Sequence, residues 1–465
     1  MRELICASAT KMAEAIRRKE VSSEELVREH LRRIEEVNPK LNAVVQVRTE
    51  AALREAREAD QALARGEVRG PLNGVPFTIK EAWETEGMIW SGGTLGRAQY
   101  RGSVDSTVVA RVRAAGGIAL GATNLPELSL AFEADNLVYG RTNNPYDLSR
   151  TPGGSGGGGA AIIAVGGSPL EIGADAGGSI RLPCHFSGIA GLRPSTGRVP
   201  LTGYFPPPLG VFPLVTAAGP MARKVEDLRL VLPIVAGPDW RDPDVVPAPL
   251  GNAHAVVLKK LRAAFHTDNG VVAPTPEIVE VVRSAARALN DAGAVVDEAR
   301  PTGIEQCLEI FLGLFSADGG AGIRMLLKTS GTTRVHPLTE ALLRQLEAHS
   351  LSSAQFGELL ARRDVYRSAM LSFLEKYDVI LCPACAVPAI PHGTCWNSDT
   401  MPAFSYTMAH NLTGWPGAVV RCGTSPEGLP IGVQIVARPW REDVALAVAE
   451  HLETVMGGWK RPPDI

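Results

Sequence analysis

Two serines and a lysine sit in settings that could do chemistry. From Gly153 to Gly159, six of seven residues are glycine and the exception is Ser155. A hydroxyl in so bare a run admits three readings. Gly153 to Gly157 has the G-x-S-x-G form of a hydrolase elbow, and Gly154 to Gly159 has the G-x-G-x-x-G form of a dinucleotide site. The third reading pairs Ser155 with Ser179, where the apolar run LEIGAD turns through Gly177 and Gly178 into a helix start. Successive backbone N–H groups at such a turn converge on one point and can hold a developing oxyanion. Glycines there let a substrate carbonyl approach closely. A structural Gly-Gly turn capped by serine is the alternative.

The elements around these residues discriminate. An elbow serine and a dinucleotide loop both follow a buried strand, but NNPYDLSRTPGG ahead of Ser155 cannot be one. No Gly-Lys-Ser or Gly-Lys-Thr follows, so a P-loop is excluded. Elsewhere the chain alternates. Residues 8–36 carry a helical pattern with Ser22 or Ser23 as a cap, and a second helix runs over about 48–65. LNGVPFTIKEAW is a short β run that reaches Lys80, TVVARVRAAGG a helix feeding the strand IALGAT, and AAIIAVGGS another helix. Such alternation predicts an α/β sheet. Residues 223–375 change to longer helical runs, and strand-like pieces return at YDVILCP, GAVVRCG and PIGVQIVA. The pattern predicts one domain over 1–465: N-terminal helices at about 8–65, a core at about 66–222, a helical insertion at about 223–375, and a core return at about 376–465.

The 465 residues are 45% hydrophobic and 21% charged, with a net charge of −3, which fits a globular chain. Lysines and arginines are interspersed with acids, so no nucleic-acid partner is expected. Apolar runs fall short of the ~20 residues that cross a bilayer, and the N-terminus lacks a secretory apolar stretch, so no membrane partner and a cytoplasmic location are expected. Seven irregularly spaced cysteines suggest reduced thiols. Cys382, Cys385, His392 and Cys395 could make a zinc set, but prolines 383, 388 and 391 interrupt it. Small buried thiols are the simpler reading, and no metal is expected.

The run PGGSGGGGAAIIAVGGSPLEIGADAGGSIRLPCHFSGIAGLRPS resembles the signature of the amidase signature family. That signature is a Gly/Ser loop, then G-T-D-x-G-G-S-I-R-x-P, then G-L-K-P. GVPFTIKE resembles the family's lysine segment, GRTNNPYDLSRTPGG its approach loop, and NLTGWPGAVV with GLPIGVQIVA its last strands. Most of residues 10–230 and 370–455 are covered. The resemblance implies an α/β amidase signature fold, with a mixed central β-sheet covered by helices on both sides.

It also implies the catalytic set Lys80, Ser155 and Ser179, with Ser155 on a cis peptide, and no cofactor. Ser179 would attack a carbonyl, Ser155 would relay its proton to Lys80, and the N–H groups of Ala176, Gly177, Gly178 and Ser179 would hold the oxyanion. Lys80 must then be a neutral amine, a form that burial among Val75, Phe77 and Ile79 would favour. Asp175 and Arg181 would brace the turn. Ser129, Leu130 and Phe132 would line an acyl pocket, and residues 204–212 a mobile lid. Gly156, Ala174, Arg193 and Ser195 depart from the usual residues and put the surrounding hydrogen-bond network in question. The partner expected is a small-molecule amide, ester or carbamate, handled by a monomer or homodimer. The alternatives are the A subunit of a glutamyl-tRNA amidotransferase complex, acting as a glutaminase, and a catalytically dead binding protein on the same fold.

Overall fold

Short apolar runs bounded by glycine or proline become strands, and the amphipathic runs between them become helices. The computed structural model describes residues 3–207, 210–463 and 465. Its strands are β1 (Val44–Val47), β2 (Pro76–Lys80), β3 (Ile118–Thr123), β4 (Asp135–Asn136), β5 (Gly140–Arg141), β6 (Leu170–Asp175) and β7 (Ala190–Arg193). They continue with β8 (Ala217–Ala222), β9 (Arg262–Phe265), β10 (Val295–Glu298), β11 (Val379–Pro383), β12 (Gly417–Thr424) and β13 (Pro430–Ala437). Eleven of them form one sheet in the order β1-β3-β2-β6-β8-β7-β12-β13-β11-β9-β10, and β4 pairs with β5 separately. The sheet is mixed: β3-β2-β6 and β11-β9-β10 are parallel runs, and the strands from β6 to β11 between them pair antiparallel. This is the mixed α/β sheet expected.

Alternation along the strands makes two cores, one on each face. Val433, Ile435 and Ala437 pack with Val444, Val448 and Leu452 of the helix Glu442–Met456. Val436 turns to the opposite face, with Phe186, Phe404 and Met408. In β2, Phe77 and Ile79 join the first core, which leaves Thr78 and Lys80 facing the second side.

Two expectations need correction. The helical run at residues 8–36 is two helices, Ala9–Arg17 and Ser23–Leu41, parted at Lys19, whose φ of 58° cannot continue a helix. Ser22 caps the second with Glu25 in a reciprocal box. The stretch 223–375 is not only helical, because β9 and β10 come from it and extend the sheet beside β11. At four residues each they are too short to stand out in a helix-rich stretch, and β10 is half exposed at the sheet edge. Among the described residues no single helix is long and apolar enough to cross a membrane.

The glycine run has a packing cause. It opens the fully buried helix Gly157–Ala164. A Cβ at Gly158 would collide with the Asn124 backbone, and one at Gly159 with the Glu171 carboxylate. Gly158→Ala is therefore expected to destabilise the protein by about 1–3 kcal/mol, because rigid backbone must shift. A lowered urea midpoint with an unchanged slope is the measurement; an unchanged midpoint would show that the helix has room.

Candidate active site

Strand β2 delivers Lys80 at its last residue, and the side chain is fully buried. Its surroundings differ from those expected. Phe77 and Ile79 point to the other face of the strand, and Val75 belongs to that same core. Lys80 Nζ instead meets hydroxyls: it donates to Ser155 Oγ at 2.7 Å and to Tyr204 Oη at 3.0 Å.

Ser155 follows a cis peptide after Gly154. The glycines that flank it are places of contact. A Cβ on Gly154 would strike the Glu133 backbone, and one on Gly156 would press against Met221 and the Ser179 carbonyl. A side chain at 156 would require Met221 or the Ser179 carbonyl to shift. The Gly156 N–H donates to the Ser179 carbonyl at 3.0 Å, which ties the two serine segments together. Ser179 closes the turn between β6 and the helix Arg181–Ser187, and both serines line one cavity.

Asp175, the last residue of β6, shapes that turn from within. Its carboxylate accepts from the Gly178 N–H at 2.8 Å, the Ile180 N–H at 3.2 Å and the Arg181 N–H at 3.3 Å. The Arg181 guanidinium adds two bonds, at 2.9 and 3.0 Å, and Asn411 adds one at 2.9 Å. Burial alone would raise this acid, but Arg181, Arg193 and Asn411 outweigh it and hold the carboxyl well below its ordinary range. One expectation changes here. Ala176, Gly177 and Ser179 line the cavity, whereas the Gly178 amide is committed to Asp175 and does not face it. The requirement for glycine at 178 is real but conformational: its φ is +130°, and a Cβ would meet Thr407 and Leu182. Arg193 stands 3.9 Å from Asp175, and its guanidinium is pushed down to about 9 by burial and the Arg181 charge.

The cavity has a volume of about 640 Å3. Ser129, Leu130 and Phe132 line it, as do Tyr204 and Phe212. Residues 208 and 209 of the stretch expected as a lid lie outside the described residues. The far wall was not anticipated. Phe311 and Phe315, one helical turn apart on the helix Cys307–Ser316, join Leu342 and Leu346 of the helix Pro337–Glu347 and the loop residue Trp396. The i, i+4 phenylalanine pair in FLGLF was a readable signal for an apolar helix face, without an address. Leu128 and Ser129 are successive non-glycine residues with φ of 55° and 58°. Left-handed backbone of this kind costs about 1–2 kcal/mol per residue and persists where packing enforces it. Here Leu128 is buried against Phe205, Leu342 and Leu346, and its N–H donates to Gly92 at 2.7 Å.

The cysteine-rich segment is disposed as core. Burial pushes the Cys382 and Cys385 thiols up to about 12, and Cys395 is raised as well. His392 faces the Leu148 carbonyl, and Gln434 donates to Cys382. Among the described residues no group of three or more His, Cys, Asp or Glu side chains could hold a metal ion.

The Amidase family model matches residues 25–446. This chain belongs to the amidase family. It is similar to fatty-acid amide hydrolase 2-B of Danio rerio, at 38% identity over 99% of this chain and 91% of the relative. It is also similar to the A subunit of the glutamyl-tRNA(Gln) amidotransferase of Salinispora tropica, at 31% identity over 99% of this chain and all of that one. Among solved structures, that of 6-aminohexanoate cyclic dimer hydrolase in complex with substrate superposes with a TM-score of 0.88, at 27% identity, over 98% of this chain and 99% of the other. The protein is an amidase-family hydrolase acting on amides.

One buried acid beside this amidase site sets a pH dependence. Glu171 Oε2 accepts from Thr123 at 2.8 Å, while Oε1 has no partner among the described residues. Burial is the largest cause and pushes the carboxyl from 4.5 up to about 7, with the Thr123 hydroxyl acting against it. An acid raised on folding binds its proton more tightly in the folded state. Its contribution to stability is therefore complete below the unfolded value and lost as the pH climbs toward 7. Between pH 5 and pH 8, wild type is expected to lose roughly 1–3 kcal/mol relative to Glu171→Gln. Urea midpoints at the two pH values measure this; parallel behaviour of the two proteins would assign the carboxylate an ionised folded state throughout.

Proposed function

We propose that this amidase hydrolyses uncharged amides bearing bulky apolar or aryl groups, and aryl esters and carbamates as well, through an acyl-enzyme on Ser179. The observation that carries the reading is the 2.7 Å contact of Lys80 with Ser155, beside Ser179 and at the floor of an aromatic cavity. Ser179 Oγ bonds to the carbonyl carbon. Its proton passes to Ser155 Oγ while the Ser155 proton passes to the neutral amine of Lys80. The oxyanion faces the amides of Ala176, Gly177 and Ser179. Collapse breaks the bond to the leaving group, which takes the proton back along the same path. Water then adds to the acyl carbonyl carbon and gives a proton to the relay; the bond to Ser179 Oγ breaks, Ser179 takes that proton back along the relay, and the acid leaves.

The relay does not depend on the atom that leaves, which is the argument for esters and carbamates: each offers a carbonyl and an oxyanion. The cavity wall argues for uncharged substrates. The charged side chains that reach it are Glu309, Glu358 and Arg362, and Arg362 is already paired with Glu309 at 2.8 Å. The similarity to the A subunit of an amidotransferase makes glutamine hydrolysis within a complex the competing reading.

Ser179→Ala and Lys80→Ala are each expected to lower turnover at least about 1,000-fold, and Ser155→Ala to be severe with a residue of activity where water bridges the gap. A fluorophosphonate probe should label Ser179 alone, as read by intact mass and peptide mapping. Label on Ser155 would refute the assignment of roles. The substrate claim is tested by release of nitroaniline or nitrophenol from aryl amides, esters and carbamates by the purified chain. Silence on all of them, with ammonia released from glutamine once a partner protein is added, would replace the hydrolase with the amidotransferase.

A further inference from the structure

A base is useful only if its lone pair faces the proton it must take. A neutral lysine amine has two N–H bonds and one lone pair, so an acceptor that takes one hydrogen restricts where the lone pair can point. The reading above, on which this inference rests, asks Lys80 to accept from Ser155. Tyr204 is the other group against its amine. Tyr204 Oη lies 3.0 Å from Lys80 Nζ and gives its own proton to Ser129 Oγ at 3.1 Å. With that proton committed, the phenol oxygen can serve Lys80 only as an acceptor.

We propose that Tyr204 is a positioning residue for the reaction: by accepting one N–H of Lys80 it turns the amine's lone pair toward Ser155, and Ser129 fixes the phenol in the accepting orientation. Tyr204 takes no part in the transfer of the proton; its hydroxyl bonds to Lys80 and Ser129.

The scaffold holds this arm with little freedom. The Tyr204 ring packs edge-on to Trp83 at 4.7 Å between centroids, and residues 83 and 204 form a backbone bridge. On either side of it the Phe205 N–H donates to the Ala82 carbonyl, and the Glu84 N–H to the Gly203 carbonyl, each at 2.8 Å. The segment directly after Lys80 thus clamps the tyrosine that orients it. At the other end, Ser129 occupies the left-handed stretch anchored by buried Leu128. That stretch places the Ser129 hydroxyl where it accepts from Tyr204. Ser129 and Ser155 both line the cavity, so two hydroxyl arms from Lys80 reach the space where substrate sits.

Tyr204→Phe removes the acceptor and keeps the ring. With an aryl amide, kcat is expected to fall roughly 10- to 100-fold, with KM within about threefold. Ser129→Ala, which frees the phenol proton to point at Lys80, should lower kcat in the same direction by a smaller factor. The readout that a merely structural role would not give is non-additivity. In a Lys80→Ala background, Tyr204→Phe should cause no further loss in the rate of Ser179 phosphonylation, followed over long incubations at high probe concentration. An unchanged kcat, a loss carried by KM, or the same loss in both backgrounds would overturn the proposal while leaving the hydrolase intact. Failure of wild type to take the probe at Ser179 or to turn over any substrate would overturn the hydrolytic reading itself, and the proposal with it.

Discussion

The site depends on one buried ion pair. Asp175 and Arg181 are both sealed from solvent, and a lone carboxylate there would cost several kcal/mol. Each therefore exhausts its hydrogen-bonding capacity on the turn and on distant strands and helices. Arg181 reaches the Thr407 carbonyl, Asn411 and Gln434, which belong to the helix Ser405–Thr413 and to β13. Asp175 draws the amides of residues 178, 180 and 181 inward. The backbone around Ser179 is bent because that carboxylate must be satisfied, and the cavity-facing amides of the turn are those it does not claim.

Close approach is the second constraint. The glycines from 153 to 159 reflect less a need for flexibility than the absence of volume beside Pro183, Glu133, Met221, Ala134, Asn124 and Glu171. Ser155 stands out because it carries the one side chain in the run that has somewhere to go, toward Lys80. Fully buried helix, strand end and turn then meet with three polar side chains at their junction.

Much of this was legible. The pairing of Ser155 with Lys80 and the bracing of the turn by Asp175 were legible only through the resemblance to the amidase signature family, because 75 residues separate the first two and the glycines alone name no partner. An α/β sheet was legible as alternation, its mixed character came from the resemblance alone, and its return after residue 375 was readable in β11, β12 and β13. What escaped was non-local. Lys80 has hydroxyl neighbours rather than apolar ones because strand alternation sends Phe77 and Ile79 to the opposite face, and Tyr204 arrives from a loop more than a hundred residues away. The Gly178 amide was assigned to the cavity because spacing cannot tell which of several successive N–H groups a neighbouring carboxylate will claim. The edge strands β9 and β10 are four residues long, and the far wall of the cavity comes from helices whose apolar faces carry no address.

That far wall divides the molecule into two kinds of surface. The reacting groups are fixed to strand ends and to a backbone turn inside the sheet, whereas Phe311, Phe315, Leu342 and Leu346 belong to helices outside it that share no hydrogen bond with Lys80 or Ser155. Catalyst and mould meet chiefly where Leu128, next to Ser129, packs with Leu342 and Leu346. Drift elsewhere in the helices can reshape what fits while the proton path stays as it is, whereas drift at Leu342 or Leu346 would be felt at Ser129 and Tyr204.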